Sequence, residues 1–356
     1  EPGGHPTPDP SMPKVKLHAT VKFQGQPVST GTLTWEFTIS GRYRVRDHAA
    51  ENDYVWQDYR FGAGSAQTAP GEEKEFQLVA GEVVGGDLEL KVTYQGGPDI
   101  GNLQATKTVR QMKVKGKNAE RAAVQGLIAE IAGTQAWAML RIFCHESVHR
   151  LQQFRNGEVL YGPPAGVGIV QRDPEEQEWT WPRNRITEPN NFLPRIFWDW
   201  KKNVREGVES FRNTYIARSR SAINRLRRDN PNLPEAPEGL ILRGAIRSYN
   251  GGNEFLASPD GQRYVVSPHR RNRQGEVVPL AADRVPYVSQ VLADAHTDAQ
   301  TYPIPEGVQV QQWPEAAPAG QQRRQAPPGQ PVQPVQPGQP GQPGQQRPQG
   351  QPQRRR

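Results

Sequence analysis

The hydrophobic period of this chain changes within residues 119–154, AERAAVQGLIAEIAGTQAWAMLRIFCHESVHRLQQF. Apolar side chains recur there at three- and four-residue spacing, as at Ala136, Leu140 and Phe143. That spacing places them on one face of a helix. Upstream of this stretch the period is two. The sequence therefore predicts a β domain followed by a mainly helical one.

Period-two alternation begins at Val15 and predicts several short strands. A last strand-like run covers Leu103 to Val114. Short half-buried strands separated by turns are typical of an antiparallel sandwich. We therefore predict an all-β, immunoglobulin-like sandwich at residues 15–117, after a linker at residues 1–14. The residues that share one face of a strand are Val15, Leu17, Ala19, Val21 and Phe23; Leu33, Trp35, Phe37 and Ile39; and Leu88, Leu90, Val92 and Tyr94.

Three aromatic residues, Tyr54, Trp56 and Tyr59, lie close together in the predicted β domain. Exposed aromatic rings in such a place can bind sugars. The alternative is ordinary packing in a loop or on an edge strand. The sequence leaves both interpretations open.

The C-terminal end of the chain is almost wholly Gln, Pro, Gly and Arg from Gln321 onward. Such a segment has no apolar face to bury, so it cannot offset its ordering entropy. We predict a disordered tail over residues 301–356. From Gln321 the tail carries six arginines and no acid, against a formal net charge of +7 for the whole chain. It is either a solubilising tether or a binder of an anionic cell-envelope polymer, and nucleic acid is not an expected partner.

The most apolar window of the chain runs from Ala122 to Cys144 and is interrupted by Glu130, Gln135 and Arg141. These polar residues predict that it does not span a bilayer. Cys144 is the single cysteine, so an internal disulfide is excluded. We therefore predict a soluble protein.

The letters HESVH at residues 145–149 fit the HExxH string of zinc peptidases. On a helix His145 and His149 share a face, and Glu146 would polarise a metal-bound water. A string this short needs a third ligand, and Gln152 and Arg155 stand where the metzincin pattern has Gly and His. We therefore predict no metal and no cofactor.

A second interpretation of Glu146 rests on an ordered set of motifs. Glu146–Ser147 is followed by a Gly-x-Gly-x-x-Gln string, then by a helix with an Asn and a Gly, and then by Tyr-Asn. In this order the motifs resemble the catalytic domain of soluble lytic transglycosylases, a goose-lysozyme-like family. The resemblance covers about residues 119–300 and implies a mainly α, lysozyme-like domain at residues 118–300. The later positions are Gly166, Gly168 and Gln171; Asn203 and Gly207; and Tyr249 and Asn250.

The resemblance implies that Glu146 alone protonates the glycosidic oxygen between MurNAc and GlcNAc in peptidoglycan. The products would carry 1,6-anhydro-MurNAc ends. Tyr249 would also fix the glutamate. The alternative for Tyr249 is a buried tyrosine with a satisfied hydroxyl, and the alternative for Asn250 is an Asn-Gly turn. Asn203 and Gly207 are expected to pack helices. The substrate-binding residues implied by the resemblance are Ser147, Gly168, Gln171, Tyr249 and Asn250.

Two departures from the family pattern keep a hydrolytic muramidase open. One is a Trp- and Pro-rich insertion at residues 178–200, and the other is Arg172–Asp173 after the glutamine. They could supply a second carboxylate from Asp173, Glu175 or Glu176, as most glycosidases require. A non-catalytic wall-binding protein is a further alternative. A peptidoglycan partner implies export to the periplasm, cell envelope or extracellular space, or association with a virion or an injection system.

Overall fold

The computed structural model places strands in the first part of the chain and helices mainly in the second. Of the predicted tail at residues 301–356 the structure describes only 301–305 and 308, and Val308 is buried in the core rather than disordered. His149, Glu175, Glu176 and most of the insertion lie outside the described residues. The residues that the structure describes are 9–47, 49–50, 52–80, 83–97, 100–147, 150–163, 165–173, 196–252, 255–258, 260–267, 269–271, 277–279, 287–294, 300–305 and 308.

The first part is built on a four-stranded antiparallel sheet with strand order β5–β4–β7–β8. Smaller antiparallel pairs join β1 to β6 and β2 to β3. The predicted run from Val15 to Phe23 is therefore two strands with different partners. The bounds are β1 Lys14–Leu17, β2 Val21–Phe23, β3 Gln26–Val28, β4 Thr32–Arg46, β5 Tyr54–Thr68, β6 Lys74–Gln77, β7 Gly86–Gln95 and β8 Gln104–Val114.

The second part contains six α-helices and several two-stranded hairpins among its described residues. A 3-10 turn, Gly133–Gln135, separates α1 from α2, and a π-helical segment, Phe211–Tyr215, joins α3 to α4. The predicted order of strands followed by helices is confirmed. The helices are α1 Arg121–Ala132, α2 Ala136–Glu146, α3 Trp200–Ser210, α4 Ile216–Asp229, α5 Glu238–Tyr249 and α6 Tyr287–Leu292, and the strands are β9 Phe154–Arg155, β10 Glu158–Val159, β11 Tyr161–Gly162, β12 Gly166–Val167, β13 Phe255–Ala257, β14 Tyr264–Val266, β15 His269–Arg271 and β16 Val277–Pro279.

The core of the sheet is completed by residues that come after α2 in the chain. Phe197 is fully buried, and its ring lies 5.2 Å from that of Tyr43 on β4. The ring of Trp198 passes so close to Gly85 that a Cβ there would come within 2.2 Å of it. Sheet and helices belong to one compact unit, residues 1–315. The loop before α3 therefore ties the two parts together.

One helical run among the described residues, Arg121–Glu146, is long and apolar enough by composition to cross a membrane. About two thirds of its apolar window, 67%, is buried inside the protein. Val124, Leu140 and Phe143 lie in the core shared with α3, α5 and α6. A helix with this much of its apolar surface buried inside the protein has the burial of a core helix.

Candidate active site

Glu146 is the last residue of α2, a helix in which every residue from Ala136 to Cys144 is buried. The next residue, Ser147, is also buried, and its hydroxyl donates to the Phe143 carbonyl at 2.6 Å. The same oxygen accepts the Leu151 N–H at 2.9 Å. The Phe143 carbonyl also accepts the Ser147 N–H at 3.0 Å, so Ser147 closes the last turn of the helix with both its backbone and its side chain. Ser147 therefore fixes the backbone beside Glu146, and contact with a substrate stays a prediction.

The carboxyl group of Glu146 is partly buried and accepts a hydrogen bond from the hydroxyl of Tyr287, the first residue of α6. Burial raises the pKa of Glu146 above its ordinary value. The Tyr287 hydrogen bond acts against that increase, and the negative charge of Asp173 adds to it. A carboxyl group that holds its proton to higher pH is suited to general acid catalysis.

The tyrosine that fixes Glu146 is not the one that the resemblance implies. The hydroxyl of Tyr249, at the end of α5, donates to the Val170 carbonyl at 2.5 Å. Its ring contacts Phe143 at 6.4 Å and Tyr215 at 5.0 Å. Tyr249 therefore holds the Gly-x-Gly-x-x-Gln segment against the helices, while Tyr287 makes the bond to Glu146. This arrangement is the buried, satisfied tyrosine given above as the alternative.

The Gly-x-Gly-x-x-Gln segment begins with β12, which pairs with β11, and continues as a tight turn. Gly168 has a φ of +62°, and a Cβ there would come within 2.1 Å of the Gln153 side chain. Only glycine fits such a backbone without strain. Gln171 also has a positive φ, +49°, and its side-chain amide donates to the Gly168 carbonyl at 2.6 Å. Gln171 thus closes the turn, and its contact with sugar stays a prediction.

Two buried amides support this turn from behind. Asn203 on α3 accepts the N–H groups of Ile169 and Val170 at 3.1 and 3.2 Å. It also donates to the Val167 carbonyl at 3.1 Å. Gln153 donates to the carbonyl oxygens of residues 196 and 197 at 2.7 and 2.8 Å. These bonds satisfy polar groups that would otherwise be costly to bury.

Gly207, one turn after Asn203 on α3, allows the helix to approach the same turn closely. A Cβ at this position would come within 2.5 Å of the Val170 side chain and 2.7 Å of the Phe143 ring. Asn203 and Gly207 therefore pack α3 against α2 and the turn, as expected from the sequence.

Asn250 is exposed and follows the last residue of α5. Its side-chain oxygen accepts a hydrogen bond from Arg247 at 3.4 Å, and the following Gly251 has a φ of +76°. These features are those of an Asn-Gly turn. A role for Asn250 in substrate binding stays a prediction.

Asp173 is the carboxylate whose charge acts on Glu146. One of its oxygens accepts a hydrogen bond from the Arg46 guanidinium on β4 at 2.6 Å. The other accepts the Ala165 N–H at 3.2 Å. Its side chain is 16% exposed, so one oxygen lies in a mostly buried ion pair and the other is held by the backbone. The β part of the chain thus reaches the candidate site through Arg46.

The described residues contain no group of three His, Cys, Asp or Glu side chains placed to hold a metal. His145 contacts the ring of Tyr287 edge-on at 5.3 Å. His149 is not among the residues described. The absence of zinc stays a prediction.

We expect the purified protein to contain far less than one zinc per chain. His145 packs against an aromatic ring, and Arg155 stands where the metzincin pattern has its third histidine ligand. Wall-cleaving activity should survive treatment with a chelator. Elemental analysis and activity before and after EDTA measure both quantities. One zinc per chain, lost together with activity in His149→Ala, would contradict the prediction.

Comparisons with protein-family models, with curated proteins and with solved structures found no match for this chain.

Sequence reasoning missed three residues of the site: Tyr287, Arg46 and Gln153. Tyr287 lies 141 residues from Glu146, and Arg46 lies 127 residues from Asp173. A contact across such a separation leaves no periodic signal in one sequence. Gln153 lies within the quoted residues 119–154, but its role in supporting the Gly168 turn is visible only in the folded chain, where its side chain lies against Gly168.

Proposed function

We propose that this protein is a lytic transglycosylase that cleaves the β-1,4 bond between MurNAc and GlcNAc in peptidoglycan. The observation that carries the proposal is Glu146 itself, which is partly buried, has a raised pKa and is held by Tyr287 beside the Gly168–Gln171 turn. With this function we propose a lysozyme-like fold for residues 118–300. For residues 15–117 we propose an immunoglobulin-like sandwich.

In the proposed reaction Glu146 acts first as an acid and then as a base. Its proton passes to the glycosidic oxygen, and the bond from that oxygen to C1 of MurNAc breaks. The substrate's acetamido group stabilises the cation at C1. The C6 hydroxyl of the same sugar then bonds to C1 and returns its proton to Glu146. Water takes no part, and the product is a 1,6-anhydro end.

The hydrolytic alternative requires a second carboxylate that attacks C1 or activates water. Asp173 is the described candidate, but its oxygens are engaged by Arg46 and by the backbone of Ala165. An ion-paired carboxylate held in this way is a poor nucleophile. This arrangement favours the single-acid reaction over the muramidase.

The products distinguish the two reactions. We expect digestion of purified peptidoglycan in ¹⁸O-labelled water to yield anhydro ends without label, because the C6 hydroxyl replaces water. Mass spectrometry of the released fragments measures this. Reducing ends that carry ¹⁸O would identify a hydrolase, and no release of fragments would contradict both activities.

The proposed substrate places the protein outside the cytoplasm, in the periplasm, the cell envelope or the extracellular space. There the arginines of the tail would meet anionic envelope polymers at close range. Attraction of this kind weakens as salt rises, because mobile ions screen exposed charges.

A further inference from the structure

The outward face of β4 and β5 carries a row of basic and aromatic side chains. Tyr43 and Val45 point into the core, so the alternate residues of β4 point outward. We call the outward set the arginine stripe. It consists of three cross-strand pairs, Arg42 with Asp58, Arg44 with Trp56 and Arg46 with Tyr54.

The middle of the arginine stripe is a cluster of aromatic rings around one guanidinium. Arg44 lies 4.5 Å from the ring of Tyr54, 5.0 Å from Trp56 and 5.1 Å from Tyr161. Arg42 lies 5.4 Å from the Trp56 ring. These contacts hold the rings in place. Trp56 is nevertheless 42% exposed, which is unusual for so large an apolar side chain.

A cleft of about 650 Å³ opens beside Arg42 and Trp56. Most of its charged groups neutralise one another, as Lys113 and Glu158 do at 3.1 Å. Arg42 makes no ion pair with any residue described, and it stands at the edge of the cleft. The lining thus combines exposed aromatic surface, paired charges and Arg42, whose guanidinium can bind a carboxylate; beside it lies its cross-strand neighbour Asp58, which likewise makes no ion pair with a described residue. This chemistry suits an acidic saccharide.

Two contacts lead from the stripe and the cleft toward the candidate active site. At one end Arg46 binds Asp173, whose charge acts on Glu146. Tyr161 lines the cleft and also pairs through β11 with Val167 beside the Gly168 turn. The four residue steps from Arg46 to Arg42 span about 13 Å along the strand. That distance exceeds the length of one pyranose ring.

We propose that the arginine stripe and its cleft bind the glycan strand beyond the cleavage point, with Trp56 against a sugar ring and Arg42 on a carboxylate of the lactyl or stem-peptide group. The inference rests on the proposed function, since it assigns a second contact to the same polymer. The β part of the chain then supplies affinity for long strands, and Glu146 supplies the chemistry.

The test uses the full chain with Glu146→Gln, so that bound polymer stays intact. Trp56→Ala and Arg42→Gln are introduced singly and together, and binding is measured on purified peptidoglycan freed of protein and anionic polymers. We expect the double variant to bind on the order of tenfold more weakly. Phe23→Ala, at the same 42% exposure, and the exposed Arg225→Gln are matched controls and should bind normally.

Two further measurements separate the roles of the residues. On a neutral chitooligosaccharide the effect of Trp56→Ala should persist and that of Arg42→Gln should vanish. In the chain with Glu146 intact, Trp56→Ala should slow the cleavage of long glycan strands more than the cleavage of short fragments, and Phe23→Ala should slow neither. Folding of each variant is checked by its melting temperature.

Unchanged binding of the double variant to peptidoglycan would overturn the proposal. Full competition by free stem peptide would also overturn it and identify a peptide-binding cleft instead. A rate on short fragments that falls as much as binding would place Trp56 in the cleavage site itself. The proposed catalytic function has a separate test: it would be contradicted if the unaltered protein released no anhydro products from peptidoglycan.

Discussion

Glu146→Gln is expected to abolish nearly all wall cleavage while leaving the fold and glycan binding intact. Glutamine keeps the shape of the side chain and can still accept the Tyr287 hydrogen bond, but it cannot deliver a proton. General acid–base help is typically worth about 10²–10⁴ in rate. Because one residue serves as both acid and base, we expect a loss at or above the top of that range. Release of soluble fragments from purified peptidoglycan measures it.

The matched control is Glu130→Gln, an exposed glutamate on α1, which should retain full activity. The pH dependence gives a second check. Since Glu146 must be protonated when the leaving oxygen departs, the rate should fall as pH rises through its raised pKa. Normal activity in Glu146→Gln would remove the basis of the proposed function.

The same pair of proteins should differ in the pH dependence of stability. The pKa of Glu146 is raised above its ordinary 4.5 in the folded chain, chiefly by burial. Below 4.5 the group is protonated in both states and imposes no cost. As pH rises toward the folded pKa the unfolded chain ionises first, so the unaltered protein loses stability relative to Glu146→Gln. Urea unfolding at several pH values measures the difference.

Asn203→Ala is expected to reduce the free energy of unfolding by about 2–4 kcal/mol, because three buried hydrogen bonds disappear and a donor is left without its acceptor. Asn203 is completely buried, and its oxygen is the acceptor for Val170 N–H. Tyr249 donates to the Val170 carbonyl of this turn and lies close enough to Glu146 for the two groups to interact electrostatically, so wall cleavage should fall as well. Urea titration of the purified variant measures the change in stability.

Asn213→Ala is the matched control, since Asn213 lies exposed in the π-helical segment that follows α3. Its effect should stay within about 0.5 kcal/mol, as for most surface substitutions. Equal stability of the two alanine variants would show that the amide of Asn203 does not support the turn.

The helices and three of the four strands of the main sheet, β4, β7 and β8, were predictable because each leaves a local pattern, whereas β5 was not predicted. The run from Leu103 to Val114 is β8, Gln104–Val114, and the helical spacing of residues 119–154 corresponds to α1 and α2. Local patterns did not reveal the break between β1 and β2. Nor did they reveal the π-helical segment between α3 and α4, because pairing partners and packing decide both.

The site was predictable as far as its motifs are local. Glu146 and Ser147 stand together in the sequence, and the close backbone approach of Gly168 follows from the absence of a side chain. Which tyrosine binds Glu146 depends on the fold, and the resemblance selected Tyr249 where the structure has Tyr287. Of the aromatics noted in the β domain, Tyr59 is buried and donates to the Gly85 carbonyl, whereas Trp56 is exposed.

The position of Phe197 and Trp198 in the core of the sheet has a consequence for biosynthesis. All four strands of the main sheet have been translated by Val114, yet Phe197 and Trp198, which pack against Tyr43 and Gly85, are made only later. On the ribosome the first part of the chain therefore waits with an open apolar face while α1, α2 and the Gly168 turn are synthesised. Exchange of the second part by recombination would remove Phe197 and Trp198 from the core of the sheet.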